Sequence, residues 1–152
     1  MLRLILATMH LVALGIGLGG VWARARALNE SPLTLAAAKR AFAADTWWGI
    51  AAALWISTGL WRLLAGTEKA TTYYLHNHVF YAKMGFLLLI MLLELWPMIT
   101  LIRWRVDAGR KPDTWRPDSA TADRIRIICS VQVALVIAMV AAAVTISRGY
   151  GN

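Results

Sequence analysis

Cysteine, proline, acid and formal charge are all scarce in this sequence. A single cysteine, Cys129, excludes an intrachain disulfide framework, a cysteine-rich zinc site and a thiolate-held iron–sulfur cluster. Charged residues make up only 16% of the chain, against about 25% in soluble domains. With 59% hydrophobic residues that excludes a disordered chain and does not fit an ordinary soluble domain. No internal repeat or low-complexity tract is present, and no nucleophile–base constellation for catalysis stands out. Gly17-Leu18-Gly19-Gly20 lacks the preceding strand and the following Lys-Ser/Thr of a phosphate loop. His76-x-His78 has no Cys, Asp or third His in its loop to complete a metal site, so no metal is expected.

What the chain does have is long apolar runs. Its 152 residues suit one domain, and its mean hydropathy is +0.57. A bilayer core of about 30 Å takes roughly 20 apolar residues at about 1.5 Å each. Four stretches meet that length, over about 4–23, 44–65, 81–102 and 127–147. Backbone groups find no water in lipid, so each must be helical. The expected fold is therefore all-α, an integral membrane four-helix bundle spanning residues 1–152. Ala23-Arg24-Ala25 imitates a signal-cleavage site, but the apolar run before it exceeds the roughly 7–15 residues of a signal peptide. It reads as a retained helix.

The excess of basic over acidic residues gives a net charge of +8, and its distribution sets a direction. Arg24, Arg26, Lys39, Arg40, Arg103, Arg105, Arg110, Lys111, Arg116, Arg124 and Arg126 fall on one side, eleven in all. Arg3, Arg62, Lys69, Lys83 and Arg148 fall on the other. The positive-inside rule puts both long connections in the cytoplasm of a bacterial cell, and both termini on the periplasmic side of its inner membrane. Anionic lipid is then the nearest partner of these basic residues, and nothing points to nucleic acid.

The connections carry their own signals. Ser31-Pro32 resembles an N-cap followed by a first-turn proline, and residues 33–42 suit a cytoplasmic extension of the second span. Pro112, Trp104, Trp115 and Pro117 suggest a segment lying along the headgroups. Trp22, Trp47, Trp48 and Trp104 suit one aromatic belt, and Trp61, Tyr73, Tyr74 and Tyr81 the other. Gly15 with Gly19, and Gly49 with Ala53, are small-xxx-small pairs that allow close helix packing, within the chain or against other membrane-protein helices or a second copy. Pro97 predicts a kink in the third span.

Ionisable residues inside lipid are costly and mark candidate sites. His10 can ligate a tetrapyrrole metal, relay a proton, or bond a Ser, Thr or carbonyl of a neighbouring helix. Lys83 and Glu94 are eleven residues apart, which puts them on one face about 16 Å from each other. Each therefore needs its own partner, and Glu94 at mid-membrane must be protonated or bonded to a polar group of another helix. That makes Glu94 a candidate proton relay. Asp45 and Arg62 stand at the two ends of the second span, where the helix dipole favours an acid and a base respectively.

Ala44-Asp45-Thr46-Trp47-Trp48-Gly49-Ile50, Thr58-Gly59-Leu60-Trp61-Arg62, Tyr73-Tyr74-Leu75-His76-Asn77, Phe80-Tyr81-Ala82-Lys83, Glu94-Leu95-Trp96-Pro97 and Arg103-Trp104-Arg105 together resemble an uncharacterised family of bacterial four-helix membrane proteins. More distantly the chain is similar to HemJ-type protoporphyrinogen oxidases and CopD-type membrane proteins. In the HemJ type a first-helix histidine and a lysine opening the third helix are functional and haem b is implicated, and His10 and Lys83 occupy comparable places. The sequence lacks a second histidine deep in the third or fourth span, so the six-coordinate haem pattern is not reproduced. Two functions follow as expectations. One is a non-enzymatic accessory subunit packed against a larger respiratory or photosynthetic membrane complex. The other is a protein that binds haem b or a chlorophyll-type pigment through His10, with Lys83 and Arg62 on its carboxylates.

Overall fold

The structure, a computed structural model, describes residues 1–66 and 71–150. Lys69, counted above among the outer basic residues, lies outside the described residues. Four long helices and one short one account for nearly all of the rest. They are α1 (Leu2–Leu28), α2 (Leu35–Leu64), α3 (Thr71–Leu75), α4 (His78–Arg110) and α5 (Ser119–Ser147). No strand occurs among the described residues. Of these helices α1, α4 and α5 are long and apolar enough to cross a membrane. α2 is as long, at 30 residues, but Trp47, Trp48, Trp55 and Trp61 with Asp45 and Arg62 dilute its apolar character.

The helices overrun the apolar runs at their basic ends. α1 does not stop at Ala23 but continues to Leu28, and Arg24 is a wholly buried residue of the helix rather than part of a connection. The flanking basic residues on that side are therefore ten, not eleven. α2 begins at Leu35, so Asp45 lies well inside the helix and not at its dipole end. Its N-cap is Thr34, whose hydroxyl accepts from the Ala37 amide at 3.1 Å, and not Ser31. Asn77 and Asp118 cap α4 and α5, accepting from the Phe80 and Thr121 amides at 3.2 and 2.8 Å.

α1 packs against α2 and α5, α4 packs against α5, and α2 touches α4 more sparsely. The α1–α2 seam is antiparallel and is made by glycines that the small-xxx-small pattern did not select. A Cβ on Gly17 would lie 3.2 Å from the Trp48 ring, and one on Gly20 would lie 3.2 Å from the Ala44 carbonyl and the Trp48 amide. Trp48 is thus a buried residue of this seam, not a member of an aromatic belt. Gly15, Gly19 and Gly49 meet nothing within 4 Å, and Ala53 is exposed, so none of the four makes a close helix approach within the chain.

The two ends are closed differently. At the arginine-rich end Trp115 folds back onto Phe42 and Trp104, with ring centroids 6.5 and 5.8 Å away, so the segment between α4 and α5 is pinned to the helices at this residue. Arg105 of α4 donates to the Phe42 carbonyl and the Thr46 hydroxyl of α2, at 2.6 and 3.1 Å. At the other end buried Asn77 donates to the Tyr150 carbonyl at 3.0 Å, tying the start of α4 to the end of the described chain.

Candidate functional site

Arg24 decides the polar organisation of the interior. Its side chain has no exposure, and a guanidinium has five N–H donors that cannot be shed by deprotonation. All five are used. Nε donates to Cys129 Sγ at 3.2 Å. Nη1 donates to Asp45 Oδ1 at 2.7 Å and to Glu94 Oε1 at 2.6 Å. Nη2 donates to Glu94 Oε2 at 2.8 Å and to Gln132 Oε1 at 3.0 Å. The pairing with Glu94 is the two-pronged arrangement that makes arginine–carboxylate contacts strong and directional. Gln132 closes the circuit, donating from Nε2 to Glu94 Oε2 at 2.7 Å and towards the Ile90 carbonyl at 3.4 Å.

This lock draws on α1 for Arg24, α2 for Asp45, α4 for Glu94 and α5 for Cys129 and Gln132, so it joins all four long helices. A buried unpaired charge costs several kcal/mol, and each member is tolerated because the others complete it. Arg105 lies within the field of Asp45, so two cations balance two carboxylates. Glu94 has the polar partner on another helix that its depth demanded. Asp45 holds Arg24 rather than capping a dipole. Arg24, Cys129 and Gln132 were not singled out from sequence. Arg24 stood at the edge of an apolar run, where an arginine ordinarily faces headgroups.

The second cluster lies at the opposite end of α1 and α2. The Thr58 hydroxyl donates to the Leu54 carbonyl at 2.7 Å, so at 3.0 Å from His10 Nδ1 its oxygen accepts the imidazole N–H. The imidazole edge lies 3.0 Å from where a Cβ on Gly59 would stand, and its ring centroid is 5.7 Å from that of Trp55. Arg62 and Lys83 both act on His10 through their charge. No carboxylate among the described residues pairs with Lys83.

The space next to His10 along α1 does not admit a tetrapyrrole. Just below His10, the crevice lined by Ala13, Gly17, Trp48, Ala51, Trp55 and Val136 is apolar and too narrow for a water molecule. A macrocycle has no slot there. His76 and His78 do not converge either: His76 Nδ1 caps its own helix on the Thr72 carbonyl at 2.8 Å, while His78 opens α4.

Residues 2–151 match the model of a family described as "Predicted membrane protein (DUF2214)". The chain belongs to this family. No curated protein and no solved structure matches it. Family membership agrees with the three apolar helices and the lipid contacts they imply. The family description names neither an activity nor a ligand.

Proposed function

We propose that this chain is a non-enzymatic, multi-pass protein of a bacterial inner membrane that packs as an accessory subunit against a larger respiratory or photosynthetic assembly. The observation that carries this reading is the saturation of Arg24. Arg24 spends every donor on the chain's own helices, so this buried cation has none left for a substrate. Such a lock serves to hold four helices as a unit. On this reading α2 is the fourth span, since it runs beside α1 from the level of Arg24 to that of His10. Both termini then face the periplasm, because ten flanking arginines and lysines gather at the other end.

What the chain offers outwards is lateral. Gly15 and Gly19 on α1 face open space, which lets a neighbouring helix approach closely. Crosslinking of Gly15→Cys and Gly19→Cys variants in native membranes tests the proposal. A defined product with a second, different polypeptide is expected. Migration as a lone chain contradicts the proposal, and a product of twice the chain's mass replaces the larger assembly with a homo-oligomer.

A further inference from the structure

Outside the lock and the His10 cluster, a shallow groove of about 390 Å³ lies between α4 and α5, lined by Trp96, Arg124, Ile127 and Ile128. Its volume is within the roughly 300–1,000 Å³ of ligand pockets, yet its walls come from only two helices and it opens sideways, where a membrane helix meets lipid. Pro97, next to Trp96, has no N–H to give the Leu93 carbonyl, which weakens the regular turn of α4 beside the groove. Three of its four residues are apolar. The fourth, Arg124, is exposed on the second turn of α5.

Arg103, Arg110 and Lys111, like Arg124, have no carboxylate partner among the described residues, and Arg124 differs from them by lining the groove. Residues 103–126 hold seven basic and four acidic residues, an excess of positive charge. Arg105 is engaged with α2, Arg116 with the Asp113 and Trp115 carbonyls, and Arg126 with Asp123 at 3.1 Å. No carboxylate among the described residues lies within ion-pair distance of Arg124, although its charge reaches Asp118. A cation without a counter-ion, at the mouth of an apolar trough, complements an amphiphile with an anionic head and an apolar tail.

We propose that this groove is a binding site for an anionic glycerophospholipid, whose phosphate rests on Arg124 and whose acyl chain lies along Trp96, Ile127 and Ile128. The site is independent of the accessory-subunit reading and holds for a lone chain as well as a docked one. Native mass spectrometry of the full chain, released from nanodiscs of mixed phosphatidylglycerol and phosphatidylcholine, tests it. Wild type retains phosphatidylglycerol preferentially, and Arg124→Gln binds it about tenfold more weakly, the loss of one charge-assisted contact. Arg124→Lys keeps part of the preference. Ile127→Trp fills the trough from a side chain that is 61% exposed, so it keeps the fold and loses the lipid without touching the cation. Equal retention of the two lipids by wild type overturns the proposal. So does unchanged phosphatidylglycerol binding in both Arg124→Gln and Ile127→Trp, or an Ile127→Cys variant that crosslinks to a polypeptide in place of lipid.

Discussion

Two polar clusters sit at opposite ends of the same pair of helices, and they are built on opposite plans. Around Arg24, two carboxylates, an amide and a thiol surround one guanidinium until no donor is left over. Around His10, the fields of Arg62 and Lys83 overlap, and the imidazole has a hydroxyl for company. The difference teaches that intramembrane charge here has two uses. Where acids and a base from four helices converge in the buried interior, the charge fixes the fold. Where Arg62 and Lys83 act on His10, positive charge gathers around a neutral hydrogen-bonded imidazole without a carboxylate ring like that of Arg24.

The comparison breaks most severely at Arg24. Arg24→Gln leaves Asp45 and Glu94 buried without their cation and is expected to cost about 3–5 kcal/mol in denaturant unfolding of the detergent-solubilised chain. Arg24→Lys is expected to fare little better, because three donors on one nitrogen do not reproduce a five-pronged plane. A Lys variant as stable as wild type would argue that charge alone matters and that the geometry does not.

A smaller effect separates the buried glycines from the outward ones. Gly17→Leu forces a side chain into the Trp48 ring and is expected to destabilise the chain by about 1–3 kcal/mol. Gly15→Leu meets nothing within the chain and is expected to leave unfolding unchanged. Equal losses in both would place the α1–α2 seam on the wrong face of α1.

At the cationic end, His10→Ala removes one hydrogen bond to Thr58 and is expected to cost about 1 kcal/mol. Purified wild type is expected to be colourless. A Soret band that disappears in His10→Ala would show that a pigment binds on a face other than the narrow crevice below His10.

The smallest effect lies outside the membrane. Hydrogen bonds from the Thr121 hydroxyl and amide hold the Asp118 carboxyl below its ordinary range. The stability this cap gives is therefore present above the unfolded-state value and fades as pH falls through the folded one. Asp118→Asn keeps an acceptor at the N-cap and is expected to abolish that acid-side loss, read from unfolding midpoints across pH, without changing stability at neutral pH.

The sequence made part of this legible. Apolar run lengths announced the long helices, and the depth of Glu94 announced a polar partner from another helix. The partner's identity was hidden, because Arg24 follows an apolar run in the position of a headgroup anchor, and only the continuation of α1 to Leu28 turns it inwards. Asp45 looks like a helix-end acid for the matching reason: α2 begins about nine residues before its apolar stretch. The glycines fell to a question of phase. With glycine at 15, 17, 19 and 20, spacing alone favours the 15–19 pair, but the flat ring of Trp48 needs the 17–20 face. The charges of Arg62 and Lys83 reach His10, yet a chain read in one dimension gives no measure of the space between helices, and the crevice below His10 is narrower than a water molecule.

Arg24 and Glu94 depend on each other in the lock, and a double-mutant cycle measures that dependence. Unfolding free energies of Arg24→Gln, Glu94→Gln and the combined variant give the coupling. The prediction is that the double variant is more stable than the sum of the two single losses allows, by at least about 1–3 kcal/mol, because removing both charges leaves neither stranded. Losses that simply add would mean that Arg24 and Glu94 do not hold each other, and the lock would not exist.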